Sequence, residues 1–172
     1  MCSTKLPNLF TSEAAAAVVG AIALVAERSF FADVQPCDER HFDELASGNT
    51  AWLVATVPFR EGDATGVLSC SLPEDLARKL LDAFTGRDPR EPQPSGDAVF
   101  DLVGELSNMI CGTWLTTMAT RDQSFTLSRP AVEIAARRPD TNVRPAARVA
   151  VNDLPLLVSI ALDDVVLAPA GH

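Results

Sequence analysis

Residues 97–120, DAVFDLVGELSNMICGTWLTTMAT, constrain the fold most because they predict one long helix in the second half of the chain. The turn-forming segment PQPSG precedes them, and Asp97 is the expected N-cap. Successive residues turn by about 100° around a helix, so apolar residues at helical spacing share one arc. The core-facing stripe predicted in this way consists of Leu102, Val103, Leu106, Met109 and Ile110.

The opposite face of this helix has an unusual composition. Asp101, Glu105 and Asn108 are stacked there at i, i+4 and i+7. The residues around them are all small: Gly104, Cys111 and Gly112. Each interior helical glycine costs about 1 kcal/mol relative to alanine. The pattern has two explanations of equal weight. It indicates either a surface that another molecule approaches closely or an ordinary amphipathic helix with glycines packed on a neighbouring strand.

Length and composition predict one globular domain over residues 1–172, with residues 1–11 as a short lead. The chain is 47% hydrophobic and 22% charged, which is typical of a folded protein. Its formal net charge of -9 argues against nucleic acid or an anionic membrane as a partner, because phosphate binding requires clustered Lys and Arg.

The cysteines and histidines do not predict a metal site. Cys2, Cys37, Cys70 and Cys111 have no CxxC spacing, and there are only two histidines. Free thiols in a cytoplasmic protein are therefore expected. Cys111 could be a nucleophile, but a small packing residue is the favoured reading, since no histidine is nearby in sequence. The acidic stretch 37–48 lacks ligand spacing and is expected to be a solvated loop.

The first half of the chain predicts two helices and a hairpin. A helix is expected from residue 12 to about 29, and its apolar run is too short to span a bilayer. The run resembles a signal-peptide core in length, but Glu13 and the lack of a clear cleavage site favour a helix buried on nearly all sides. Strands at 52–59 and 67–72, with the turn in 60–66, precede a helix at 72–86.

The last third of the chain predicts strands. Residues 124–135 contain Pro130 and therefore form two strands or one kinked edge strand. Residues 137–145 read as a turn or an ordered loop, and 147–153 with 154–169 as a second hairpin and tail. The resulting fold class is α+β, an antiparallel β-sheet with long helices packed against it.

The helix motif resembles a known family. The sequence Asp101-x3-Glu105-x2-Asn108, followed by Pro130, is similar to the signature of the CheC/CheX/FliY phosphatases of bacterial chemotaxis. GELSNMICG at 104–112 resembles the family's GE-x-x-NMI-x-G block. The motif occurs once, as in CheX, because Glu13 has no asparagine three residues later.

The resemblance implies a CheC/CheX-like fold and hydrolysis of the aspartyl phosphate on a CheY-like response regulator. Asn108 would position the attacking water, and Glu105 would anchor the receiver by pairing with its lysine. Asp101 and Pro130 would have supporting roles. The resemblance further implies that Mg²⁺ is held by the response regulator and not by this chain. The small residues would leave room for the receiver loops: Gly104, Cys111 and Gly112.

The motif is also compatible with other functions. The chain could be a non-catalytic module that binds a receiver or another signalling partner, or a structural subunit. The resemblance also suggests a homodimer that joins sheets edge to edge. The identity of the regulator, the choice between chemotaxis and another two-component circuit, and the role of the loop at 137–145 are not predicted.

Overall fold

The computed structural model describes residues 12–48, 51–88, 90–119, 123–139 and 147–162. Within them four helices accompany a seven-stranded sheet, which confirms the predicted α+β class. The elements are α1 (Ser12–Phe30), β1 (Val34–Pro36), α2 (Glu39–Leu45), β2 (Trp52–Glu61), β3 (Ala64–Pro73), α3 (Glu74–Thr85), α4 (Gly96–Met118), β4 (Thr126–Leu127), β5 (Ala131–Ala135), β6 (Ala147–Val151) and β7 (Leu154–Leu162).

The sheet is antiparallel throughout, in the order β1-β6-β7-β3-β2-β4, with β5 also on β2. β4 and β5 lie one after the other along the same edge of β2, where Leu127 pairs with Phe59 and Val132 with Ala55. The segment around Pro130 therefore forms two short strands, the first of the two predicted alternatives. The proline lies between them, where no ladder hydrogen bond is lost.

The hairpins are tighter than predicted. β2 continues to Glu61 and β3 begins at Ala64, so the turn is not the seven-residue segment 60–66 but the two residues between these strands. Gly62 adopts a φ of 57°, which a glycine accepts without strain. The predicted strand at 154–169 begins at Leu154, and its part after Leu162 lies outside the described residues.

The main core lies between one face of the sheet and the helices α1, α3 and α4. Side chains alternate across a strand, so every second residue of β2 enters this core. Phe59 is buried there and meets Trp114 of α4 edge to face, with 5.6 Å between ring centroids. This packing fixes α4 on the sheet.

α1 is less buried than predicted. Val18, Ile22 and Phe30 are buried against the core, but Leu24 is 37% exposed and Gly20 faces open space. The prediction of a helix buried on nearly all sides is therefore wrong, because α1 lies on the sheet as an outer layer and only one side meets the core. In the described part of the chain, no helix is long and apolar enough to cross a membrane.

The acidic stretch contains a helix, α2, and not the expected solvated loop. Asp38 caps it, since its Oδ1 accepts a hydrogen bond from the backbone N–H of His41 at 2.7 Å. Phe42 is fully buried and packs on Trp52 and Leu157 at the second face of the sheet. The burial of this one aromatic side chain among charged residues explains why the stretch forms a packed helix instead of a solvated loop.

α3 follows its prediction in part. Gly86 ends the helix with a φ of 64°, as expected for a C-terminal glycine. Leu76 and Leu80 are buried, but Phe84, four residues after Leu80, is 57% exposed. Arg87 then organises the linker, because its guanidinium binds the Asp82 carboxylate at 2.6 and 2.8 Å and donates to linker carbonyls.

Candidate functional site

The long helix begins slightly earlier than predicted. Ser95, not Asp97, is the N-cap, and its Oγ accepts a hydrogen bond from the backbone N–H of Ala98 at 3.3 Å. Asp97 lies in the first turn, where its charge favours the positive end of the helix dipole. α4 then runs unbroken to Met118, close to the predicted end at residue 120.

The inner side of α4 is held firmly by the core. Val103, Ile110 and Trp114 have no exposed surface. Ser107 is also fully buried, and its hydroxyl donates to the Val103 carbonyl at 2.7 Å. A helix anchored at successive turns is a rigid support for the residues on its outer face.

The outer face carries the three polar residues of the motif. Asp101 and Glu105 are exposed, and Asn108 is half-buried. Among the described residues, no side chain forms a hydrogen bond or ion pair with these three groups. The carboxylates and the amide are therefore free to engage another molecule.

Pro130 lies beside this face. It immediately precedes β5, and a Cβ atom built on Gly104 would lie 3.6 Å from Pro130 Cβ and 3.5 Å from Val132 Cγ2. Gly104 is one helical turn from Asn108. The tertiary structure thus brings together the two parts of the sequence motif, the helix and a proline 22 positions after Asn108.

Two of the small residues do not occupy the exposed face. Cys111 is fully buried, and desolvation raises the pKa of its thiol to about 12, so it is not an activated nucleophile. Gly104 is buried against Pro130 and Val132. The expected exposed placement is wrong for both residues, since Pro130 and β5 cover Gly104 and Cys111 belongs to the main core. Gly112 is partly exposed, and the nearest atom to its added Cβ is Leu127 Cδ2 at 4.0 Å.

A groove between α1 and α4 was not predicted from the sequence. It measures about 570 Å³. Its lining residues are Leu24, Val25, Arg28, Ser29, Met109, Gly112, Thr113, Thr116 and Thr117. Thr116 and Thr117 donate their hydroxyl protons to the helix carbonyls four residues earlier, at 2.7 and 2.9 Å. Each hydroxyl proton is therefore used within the helix, so towards the groove these two side chains can only accept hydrogen bonds. The periodicity of a single segment could not predict this groove, because two helices far apart in the sequence form it.

No resident metal site is found in the described ranges, since they contain no group of three or more His, Cys, Asp or Glu residues that could hold an ion. Asp101 and Glu105 provide two carboxylates on one helix face, which is short of the six or more oxygens that Ca²⁺ or Mg²⁺ requires without water or a partner. Any cation at this site would have to be held mainly by another molecule.

Solved structures of chemotaxis proteins share this fold. A putative chemotaxis protein from Desulfovibrio vulgaris Hildenborough is 18% identical with a TM-score of 0.65, over 88% of this chain and 97% of the other. CheX from Vibrio vulnificus is 14% identical with a TM-score of 0.64, over 86% and 95%. CheX from Borrelia burgdorferi, in a complex with CheY, BeF₃ and Mg²⁺, is 15% identical with a TM-score of 0.59, over 86% and 96%.

A family comparison agrees with these structures. Among curated proteins there is no significant match. The family described as chemotaxis phosphatase CheX matches residues 53–141, just over half of the 172 residues, and this range includes all of α4 and Pro130. The chain therefore belongs to the CheX family of chemotaxis phosphatases.

Proposed function

We propose that this protein hydrolyses the aspartyl phosphate of a CheY-like response regulator. The observation that carries the proposal is the pair Glu105 and Asn108, which lie one turn apart on the outer face of a rigidly packed helix and have no partner among the described residues. Family membership supports a phosphatase. The complex of the Borrelia burgdorferi relative with CheY supports a receiver protein as substrate.

Asn108 positions the attacking water. Its amide both donates and accepts hydrogen bonds and does not titrate, so it can hold a water in one orientation across the physiological pH range. The water oxygen attacks the phosphorus in line, and the bond from phosphorus to the aspartyl oxygen breaks. The aspartate leaves as a carboxylate, and inorganic phosphate keeps the oxygen and the protons of the water. An acyl phosphate is already activated, so positioning supplies most of the catalysis.

Glu105 anchors the receiver. Its exposed carboxylate can pair with the lysine of a receiver active site, which places Asn108 next to the phosphoryl group. Asp101, one turn earlier, extends the same acidic edge, and Pro130 packs beside Gly104 to limit how the partner can tilt. Mg²⁺ is held by the response regulator, where it neutralises the charge on the phosphate.

Dimerisation is a further part of this proposal. β5 pairs with β2 on one side, and among its residues Ile134 is 61% exposed. No described strand pairs with the other edge of β5, and an open strand edge is readily covered by another strand, so we propose a homodimer that joins two copies of β5. Light scattering on wild type and Ile134→Lys tests it, and equal masses corresponding to a monomer would contradict it. The response regulator would meet this protein in the cytoplasm.

The decay of a phosphorylated receiver in the presence of Mg²⁺ tests the phosphatase proposal. Wild type should accelerate decay, and Asn108→Ala should reduce the acceleration by about 100-fold or more, which is typical for loss of one transition-state contact. Its melting temperature should stay close to that of wild type, because the Asn108 side chain forms no hydrogen bond with any described residue. Gln93→Ala, which removes an exposed amide in the linker, is the matched control.

Two results would oppose the proposal in different ways. Full acceleration by Asn108→Ala would refute the role of this residue. A wild-type protein that binds the phosphorylated receiver without changing its lifetime would instead identify a non-catalytic binding module, the second reading of the motif.

A further inference from the structure

Phe31 has an unfavourable backbone conformation at the end of α1. Its φ is 52°, and the backbone N–H of Ala32 donates to the Ala26 carbonyl at 3.1 Å across the helix end. This arrangement is a helix C-terminal motif whose left-handed position is usually a glycine. A bulky residue there is strained.

The folded chain does not compensate for this strain. The Phe31 side chain is 84% exposed, the highest value among the large hydrophobic residues of the described segments. Its ring therefore buries little surface that could stabilise the fold. Residues held in strained backbone conformations are concentrated at binding and catalytic sites.

Two other exposed apolar residues lie on α1 and on α3, which packs against α1. Leu24 is on α1, two turns earlier, and Phe84 of α3 contacts the neighbouring Phe30 with 5.6 Å between ring centroids. We call the surface formed by Leu24, Phe31 and the α1–α4 groove the α1 surface. Exposed apolar residues grouped around one helix are a common feature of interaction sites.

The α1 surface is continuous with the catalytic face. Ser29 Oγ lies 3.9 Å from Met109 Sδ, and Met109 directly follows Asn108. Gly112, one turn after Asn108, lines the groove. The nearest atom to a Cβ built on this glycine is Leu127 Cδ2, at 4.0 Å. Internal packing therefore does not require this glycine, but a partner that lies over the groove would.

A protein interface is much larger than one turn of a helix. A stable interface buries about 800 Å² on each partner, whereas one helical turn rises only about 5.4 Å. A protein whose phosphoryl group reaches Asn108 must therefore cover neighbouring turns as well. Arg28 is the one charged side chain among the described residues that line the groove. It suits a receiver that holds Mg²⁺, because this ion is bound through carboxylates together with phosphate oxygens.

We propose that the α1 surface is a second docking site for the phosphorylated receiver, in which Phe31 enters an apolar recess of the receiver and Arg28 pairs with one of its carboxylates. The identity of the partner rests on the proposed function. In this arrangement Asn108 positions the water at the phosphoryl group and Glu105 pairs with the receiver's lysine. Phe31, Arg28 and the groove determine which receivers bind.

The first test replaces Phe31, with kinetics and stability measured together. Phe31→Gly should raise the melting temperature by about 2–4 °C through relief of strain, and raise the KM for the phosphorylated receiver about tenfold with little change in kcat. Phe31→Leu keeps an apolar side chain and should retain most of the affinity. A purely structural role would instead make Phe31→Gly neutral for KM.

The second test fills the groove. Gly112→Leu should weaken binding about tenfold, whereas Gly20→Leu, a helical glycine of α1 that faces open space and does not line the groove, should not. Binding is measured with the receiver in complex with beryllofluoride and Mg²⁺, so that the result does not depend on turnover. Unchanged affinity in both Phe31→Gly and Gly112→Leu, each folded by its melting curve, would overturn the docking proposal.

The binding assay also separates this proposal from the phosphatase proposal. If wild type fails to accelerate decay but binds through Phe31 and Gly112, docking stands and the phosphatase proposal fails. If Asn108→Ala abolishes the acceleration while both docking variants bind normally, the reverse holds. Absence of binding to every receiver of the organism would overturn both.

Discussion

Replacement of Gly104 by alanine tests why α4 has a glycine in its buried middle. An interior helical glycine costs about 1 kcal/mol relative to alanine. The new Cβ would lie 3.5 Å from Val132 Cγ2 and 3.6 Å from Pro130 Cβ, which are ordinary van der Waals contacts. Burial of the methyl group adds up to about 0.8 kcal/mol. Gly104→Ala should therefore raise the free energy of unfolding by about 1–2 kcal/mol.

Gly66→Ala is the matched control, because the same change there has the opposite consequence. A Cβ on Gly66 would lie 2.5 Å from Phe59 Cζ and 2.8 Å from Leu162 Cδ2. Phe59 is only 2% exposed and packs against Trp114, so its ring cannot move aside easily. Overpacking of this kind costs about 1–3 kcal/mol.

Urea unfolding of both variants, with receiver dephosphorylation measured in parallel, provides the assay. Gly104→Ala should have a higher midpoint at unchanged slope and retain activity, since the partner does not touch a buried glycine. Gly66→Ala should have a lower midpoint. Destabilisation by Gly104→Ala would refute the contact argument. A stable variant without activity would show that the spacing between α4 and Pro130 matters for the reaction.

Two further predictions concern titratable groups. Cys37 should react with iodoacetamide in the native protein. Cys70 and Cys111 should react only after unfolding, because burial raises the pKa of each thiol to about 12. Peptide mass spectrometry measures the labelling of each cysteine, and fast labelling of Cys111 would contradict its burial. The hydrogen bond from Arg87 lowers the pKa of Asp82, so this pair contributes stability above the ordinary carboxyl pKa and loses it as pH falls through the lowered value. Asp82→Asn should thus destabilise the protein at pH 7, with a difference from wild type that shrinks below about pH 4, and a constant difference would refute the linkage.

Local patterns predicted the main elements of the fold. The 3.6-residue period of α4 and the alternation in β2 and β3 are dictated by which side chains must leave water, and both appear at nearly the predicted positions. α2 was missed because its seven residues contain only one fully buried side chain, Phe42, which is too little for a periodic signal. Turn lengths were overestimated, since a two-residue turn at Gly62 has a weak signature within a polar segment.

The sequence by itself determined the motif and its orientation. Asp101, Glu105 and Asn108 share one helix face because their spacing follows the helical period, whatever packs against the helix. Only the tertiary structure decided which flank of that face is covered. Pro130 and β5 cover Gly104 on one side, and α1 lines the groove on the other. These contacts join residues far apart in the chain, and such distances depend on the packing of all the elements together.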